Sequence, residues 1–481
     1  MARCAWRVYS VCLHGRARPA AKPFMEENEP ENEQGRPGRP HKVPPAPALQ
    51  IGGDGAPAGM GVIGEVDGSL GLALWRGLRD AHAWTEMPSE QRARYFGDDD
   101  GPLPRSLSYP ASKDDPAEGD WIGERTASAI QQAPELSGAL GLLALVPRAP
   151  ELVDGKQIAE ACHSVYEWAD LRGMVRTGQL FAEMAAHADP ENPARANYAA
   201  RMCRRAALFP RAADWYQRGL GLAVSQENRK EAIYALLGCG TLHRDLGQYD
   251  QAHRAFVRAA RKASRKNHRR EAAEARHDLL GLAAEMGRFD DADAEAIEAI
   301  NLYPRKHPRL PALANDYCYT LIRRAHYAPA LTLLESTVPL IARPEERALV
   351  WSTLGWAAAG MGRRDRYSAA EHEVLTLIAV HADYAHAALI HLAEGARLLG
   401  EWEAAGRYAE RAAEGARRRH DAPLAREAEA LGAALAAREP GLPHMPAGDT
   451  IEILARRIIV RLRQWKAPER VPSPSTPAAG G

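Results

Sequence analysis

An all-α solenoid of stacked antiparallel helix pairs, wound as a right-handed superhelix, is the fold this sequence predicts, and three observations predict it. An aromatic residue is followed three places later by alanine at Phe209/Ala212, Tyr249/Ala252, Phe289/Ala292, Tyr327/Ala330 and Trp402/Ala405. These pairs recur at steps of about 40 residues, with one last step of about twice that, and such a period marks a repeat array. Within the units, apolar residues fall at helical spacing on both sides of short glycine-containing turns. Finally, 6% aromatic content with few β-branched runs argues against a large sheet, while 46% apolar residues rich in Ala and Leu suit helices.

Residues 1–62 are expected to be a disordered N-terminal segment. Arg3, Arg7, Arg16, Arg18 and Lys22 occur before the first acidic residue, which superficially resembles a transit peptide, but no apolar core of a secretory signal is present. Met25 then opens the acidic run Glu26-Glu27-Asn28-Glu29 and is a candidate start. From there to Gly61 the chain is rich in Pro, Gly and charge. Gly35-Arg36-Pro37-Gly38-Arg39-Pro40-His41-Lys42 has the look of a minor-groove hook, yet lacks a basic residue before the central Gly-Arg-Pro and reads more simply as a linker.

Residues 63–152 read as an N-terminal helical region with a Pro-rich loop. Leu70, Leu74, Trp75, Leu78 and Ala81 line one helical face ending near Met87-Pro88, and Ser89-Glu90-Gln91 starts another helix. Asp98-Asp99-Asp100-Gly101-Pro102 breaks the pattern; it lacks the alternate oxygen spacing of a calcium loop and reads as a solvated turn. Helices resume from Glu124, and Val146-Pro147-Arg148-Ala149-Pro150 separates them from the repeats. No helix-turn-helix pattern appears.

Residues 153–440 carry the array. In its best copy Ala235 to Leu242 is one helix, Gly247-Gln248-Tyr249-Asp250 a turn, and Gln251 to Lys262 the second helix. Gly240 and Ala252 permit close backbone approach while Leu236, Tyr249 and Phe256 fill the space beside them. One pair buries too little apolar surface to stand alone, so neighbours must stack.

Trp351-Ser352-Thr353-Leu354-Gly355, then Ala252, Phe256 and Ala259, then Gly287, Phe289, Ala292, Ala296, Ala299 and Pro304 resemble the first-helix, second-helix and turn signatures of the tetratricopeptide repeat family. The resemblance covers roughly Ala194 to His420, with a degenerate pair before it from Gly155 to Ala188. It departs from the family in a longer period, in Leu280 and Cys318 where a small residue is usual, and in an uncertain register near Tyr367 to Ala370. It implies a concave groove lined by first helices, and the family's groove positions fall on Asn197, Arg201, Arg204, Tyr234, Thr241, Arg244, His277, Asn315, Tyr319, Trp356, His391 and Glu394. Tyr319 and Trp356 are the preferred anchors, since large rings give contact area at small entropic cost; core packing between repeats is their other reading. Chaperone-binding members grip a terminal carboxylate with lysine and asparagine four residues apart. The corresponding pairs here, Asn197/Arg201, Leu237/Thr241, His277/Gly281, Asn315/Tyr319, Ser352/Trp356 and Ile390/Glu394, lack that chemistry, which argues against such a clamp.

Residues 441–481 are read as a C-terminal amphipathic helix and a disordered end. Ile451, Leu454, Ala455, Ile458, Leu462 and Trp465 form an apolar stripe flanked by Arg456, Arg457, Arg461, Arg463 and Lys466. Capping the last repeat is the preferred role and lying on an anionic membrane the other. A basic stripe, Arg258, Arg261, Lys262, Arg265, Lys266, Arg269 and Arg270, would share one face if a helix continued through Asn267, and would then suit phosphate binding. Asn267 and His268 are expected to interrupt it, leaving a solvated face and connector.

Balanced formal charge, 62 basic against 62 acidic residues, gives no global attraction to nucleic acid or membrane. No membrane-length apolar stretch occurs. Cys4, Cys12, Cys162, Cys203, Cys239 and Cys318 are scattered without metal-like pairs and read as reduced thiols, largely helix filler. No phosphate loop, nucleophile elbow or zinc-protease helix is present, and no cofactor is implied. His381, His386 and His391 step by five residues, about 140° on a helix, and do not share a face; His391 and Glu394 do, yet two ligands make no metal site. The expectation is a non-enzymatic, bacterial, cytoplasmic protein-binding scaffold. A nucleic-acid-associated regulator using the basic stripe is the alternative, and an enzyme with an unrecognised site in residues 63–152 a more distant one.

Overall fold

Every first helix of the main array ends in the same backbone device. The second residue after the helix adopts the left-handed conformation, and the next N–H returns to a carbonyl five residues back: Leu208 to Cys203 (2.8 Å), Gln248 to His243 (2.8 Å), Arg288 to Ala283 (2.8 Å), His326 to Leu321 (2.9 Å), Arg363 to Ala358 (2.9 Å) and Glu401 to Ala396 (2.9 Å). Four of these left-handed residues are the glycines Gly247, Gly287, Gly362 and Gly400, and two are alanines, Ala207 and Ala325. The device satisfies the last carbonyls of one helix and reverses the chain within three residues. Recurrence of one turn generates recurrence of one hairpin.

The computed structural model describes residues 43–44, 130–131, 133–146, 152–172, 174–264, 268–341, 343–380, 385–418 and 421–464. These residues lie within one unit, Lys42–Gly481, separate from Met1–His41. Among them the α-helices are α1 (Ser137–Leu145), α2 (Gly155–Leu171), α3 (Val175–Ala188), α4 (Pro193–Arg205), α5 (Phe209–Ser225), α6 (Arg229–Asp245), α7 (Tyr249–Ala263), α8 (Arg269–Glu285), α9 (Phe289–Leu302), α10 (Leu310–Arg323), α11 (Tyr327–Thr337), α12 (Pro344–Gly360), α13 (Arg364–Val380), α14 (Ala385–Leu398), α15 (Trp402–Arg418), α16 (Ala422–Ala436) and α17 (Asp449–Arg463). No strand occurs among the described residues. From α2 to α15 the helices pair in sequence, and α16 packs on α15. The fold is an all-α solenoid. The expectations for residues 1–42, for the helices from Leu70 to Gln91, for the Asp98 cluster, for Cys4 and Cys12, and for His381, Trp465 and Lys466 lie outside the described residues.

Starts are as legible as stops. Asp154 accepts from Gln157 N (2.8 Å) while Gln157 Oε1 accepts from Asp154 N (3.1 Å), a reciprocal box that opens α2. Asn192 before Pro193, Asn228, and Asp421 two residues before Pro423 cap α4, α6 and α16.

Helix pairs close through glycine against aromatic rings. A methyl on Gly240 would stand 2.4 Å from Phe256 Cε1, one on Gly238 2.0 Å from Tyr216, and one on Gly360 2.3 Å from Tyr327. Tyr367 and Ala370 are buried on α13, and Tyr367 abuts Gly395 of α14, which fixes the register that the sequence left open. Tyr249 does not join the core as expected; it is half-buried near Glu285 and Arg426. The described cysteines, Cys162, Cys203, Cys239 and Cys318, are buried and free, and burial pushes the Cys239 thiol up to about 12.

The break expected in the basic stripe is present, and the role preferred for the C-terminal helix changes. The basic stripe does not lie on one continuous helix: α7 ends at Ala263 and α8 begins at Arg269, so Arg258, Arg261 and Lys262 belong to one helix and Arg269 and Arg270 to the next, with Arg265 and Lys266 outside the described residues. His268 has φ −103° and ψ 37°, outside helical values. The C-terminal helix does not cap the last pair. It returns to α11, with lighter contact to α10 and α9, and buries Ile451, Leu454, Ala455, Ile458 and Leu462 there. Its connector is pinned beside the α11 turn, where Met445 N donates to Ala325 O (2.8 Å) and Tyr327 Oη donates to Leu442 O (2.9 Å). At eleven residues α11 is short, and α17 covers apolar surface that a longer second helix would have covered. The stripe is consequently unavailable to a bilayer, and no described helix is long and apolar enough to cross one.

Candidate functional site

Tyr319 and Arg323 lie one turn apart on α10, the first helix of its pair. Arg323 Nη1 donates to Tyr319 Oη at 2.7 Å, and its guanidinium lies 5.6 Å from the ring centroid. Glu427 on α16 completes the group, 3.4 Å from Tyr319 Oη and 3.5 Å from Arg323. Trp356 and His391 stand behind, with ring centroids 6.2 and 5.7 Å from that of Tyr319 and 5.4 Å from each other. Trp356 is buried, so it forms the wall of the site, whereas Tyr319 is half-buried. His391 is buried with Nδ1 3.0 Å from Ser352 Oγ and 3.3 Å from Thr353 Oγ1. Burial, helped by Arg323, lowers its pKa to about 3, which keeps the imidazole neutral.

Carboxylates surround this group. Glu285 on α8 lies 3.8 Å from Arg244 of α6. Burial pushes Glu285 up to about 7; Arg244 opposes that rise and Asp245, Glu427 and Asp316 reinforce it. Glu394, 3.5 Å from Arg397, and Glu427 are also raised, chiefly by burial. Solvent still reaches them, since the Glu285 and Glu427 side chains are 35% and 36% exposed. Recessed carboxylates with raised pKa values favour a cationic or N–H-donating visitor, whose arrival would stabilise the ionised form.

Contacts between distant pairs bridge the array. Asp170 at the end of α2 binds Arg205 and Arg201 (3.1 Å) of α4, and Arg343 ahead of α12 (3.1 Å). Burial raises Asp170, but the three guanidiniums outweigh it and hold the carboxyl below its ordinary range. A Cβ on Gly247, in the α6–α7 turn, would stand 2.8 Å from Arg426 and 3.5 Å from Pro423 of α16. Tyr319 of α10 and Glu427 of α16 add a third such bridge. The array therefore brings distant helix pairs into contact.

The other expected groove residues have mixed placements. Asn197 is buried and donates to Glu231 O and Oε2, both at 3.0 Å, joining α4 to α6. Arg204 pairs with Asp245 at 2.5 Å. Thr241 Oγ1 donates to Leu237 O within its own helix (3.0 Å). His277 is buried between Tyr303 Oη (3.1 Å) and Asp316 (3.0 Å), and Asn315 is buried. Tyr234 is half-buried with Lys230 5.8 Å from its ring centroid. Tyr319, Trp356, His391, Arg244 and Glu394 thus fall in one neighbourhood, and the rest serve neighbouring contacts. His386 lies 3.5 Å from Asp421, apart from His391. Sequence reasoning missed Asp170, Glu285, Arg323 and Glu427. Arg323 was detectable one turn after Tyr319; Glu427 was not, because its closeness depends on superhelical curvature.

No protein-family model and no curated protein sequence matches the chain. Among solved structures, the chain is similar at 13% identity and a TM-score of 0.34 to a Signal Transduction ATPase with Numerous Domains (STAND) protein with a tetratricopeptide repeat sensor from Pyrococcus horikoshii. That likeness covers 65% of this chain and 62% of the other.

Proposed function

We propose that this chain is a protein-interaction scaffold whose repeats, tetratricopeptide-like in their motifs, hold an extended segment or helix of a partner against the inner surface centred on Tyr319. The observation that carries the reading is the Tyr319–Arg323–Glu427 group, backed by Trp356 and His391 and set among recessed carboxylates whose pKa values burial raises. Such a surface offers a rigid ring, an anchored cation and acceptors for N–H groups, which suits a peptide carrying lysine or arginine. The reading includes no catalytic step, no cofactor and no carboxylate clamp. Nothing favours the nucleic-acid alternative through the basic stripe, whose residues divide between α7 and α8.

The test is affinity capture from a lysate of the source organism with the full chain, with and without nuclease and at two salt concentrations, comparing wild type with Tyr319→Phe/Glu427→Gln. Trp356 is left intact because its buried ring supports the fold. A discrete protein retained by wild type through nuclease and salt, and lost by the variant, supports the assignment. Equal capture by the variant would remove it.

A further inference from the structure

Guanidinium groups from separate parts of the chain converge on the last turn of α9. Arg269, the first residue of α8, donates Nε to Leu302 O (3.0 Å) and Nη2 to Asn301 O (2.6 Å). Arg457 of α17 donates to Asn301 Oδ1 (2.7 Å), and Arg461, one turn later, to Tyr303 O (2.5 Å). Arg305 follows in the exposed loop beyond α9. Among the described residues no carboxylate forms an ion pair with any of the four, and Arg461 Nε is buried without a hydrogen-bond partner. Burial lowers the Arg461 pKa, and Arg305, Arg269 and Arg457 add to the effect with no acidic group opposing it.

Capping a helix end does not account for this many cations. A helix C-terminus carries about half a negative charge, and its interaction with one cation is worth about 0.3–1 kcal/mol. Four guanidiniums bring about eight times that charge, and their mutual repulsion remains uncompensated by α9 alone. Arginine forks match tetrahedral oxyanions in geometry as well as charge. We propose that Arg269, Arg305, Arg457 and Arg461 form a binding site for a phosphate-bearing ligand. Because α17 supplies two of the four, the site exists only while α17 is folded back, and occupancy ties that helix to α8 and α9. The site shares no residue with the inner surface around Tyr319, so the two readings succeed or fail separately.

The experiment uses the full chain and inorganic pyrophosphate as probe. Thermal unfolding is followed during titration against sodium chloride of matched ionic strength, for wild type, Arg305→Gln and Arg305→Gln/Arg457→Gln. Arg305 is exposed and makes no described hydrogen bond, so its replacement removes repulsion without breaking a contact and should not lower the unliganded melting temperature. The expected result is a saturable rise in melting temperature for wild type, with affinity at least tenfold weaker in Arg305→Gln. Sedimentation with phosphatidylcholine vesicles, with and without a phosphoinositide, distinguishes a lipid headgroup from a soluble phosphate; retention dependent on Arg305 supports the site from either source. The proposal is overturned by a pyrophosphate response no larger than that to chloride, by unchanged affinity in the double variant, or by preferential duplex DNA binding indifferent to Arg305.

Discussion

Ala207 occupies the turn position that glycine holds at Gly247, with φ 60° against 71°. A Cβ in that conformation costs about 1–2 kcal/mol, and glycine's extra chain entropy offsets about half of it. Ala207→Gly should therefore raise stability by about 0.5 kcal/mol in urea unfolding; a loss would show that the strain is relieved elsewhere. Gly240→Ala should act oppositely and cost about 1–3 kcal/mol by overpacking, because the added methyl meets the Phe256 ring rather than a flexible chain end. Glu285 controls a pH response of definite sign. Its pKa rises from 4.5 to about 7 on folding, so between those values the folded state binds more protons than the unfolded state. Stability then falls as pH rises through that window. Glu285→Gln should flatten the decline in melting temperature between pH 5 and 8, and a variant with the wild-type slope would place the titration on other groups.

At the scale of elements, hairpins and their turns were legible because their causes are local: the aromatic-to-alanine spacing, the glycine stop and the Asp or Asn start all act within one helix length. The interruption between α7 and α8 was legible too, at Asn267-His268. The position of α17 was not. Its stripe of Ile451, Leu454, Ile458 and Leu462 states that a face must be buried but not against what, and its target is a gap beside the short α11. Ile458→Asp puts a charge at a fully buried position and should release α17. Hydrogen exchange should then accelerate in α11 and the adjoining part of α9 while α2 and α4 keep their protection, as expected for nearest-neighbour stability in a repeat array. Equal acceleration throughout would mean that α17 supports the whole array rather than its middle.

Curvature of the whole array decides how far that nearest-neighbour picture holds. In an open solenoid each repeat touches only adjacent ones, so stability is approximately a sum of local terms. Here Asp170 of α2 reaches Arg343 before α12, and Glu427 of α16 reaches Tyr319 and Arg323 of α10. These bridges make the candidate site: half of Tyr319's polar surroundings were readable from its own helix, and the other half arrives from more than a hundred residues later, where no periodic pattern announces it. They also couple the two ends of the array energetically. Asp170 is buried and binds three arginines, of which Arg205 is buried and Arg201 and Arg343 are partly exposed, so Asp170→Asn removes the buried carboxylate of the Arg205 pair, a loss of up to about 3–5 kcal/mol for pairs of this kind. Arg343→Gln breaks the long-range bridge and a looser contact with Glu346 (4.0 Å), and should cost less because Arg201 and Arg205 still hold Asp170. It should nevertheless reduce cooperativity, splitting one calorimetric transition into two as α2 to α5 separate from α12 to α16, because sequential stacking and the contacts of the α6–α7 turn and α10 with α16 are the connections that remain. A single transition at lower temperature would instead show that stacking through α6 to α11 is sufficient to unite the ends, with Arg343 merely adding stability to an array already cooperative without it.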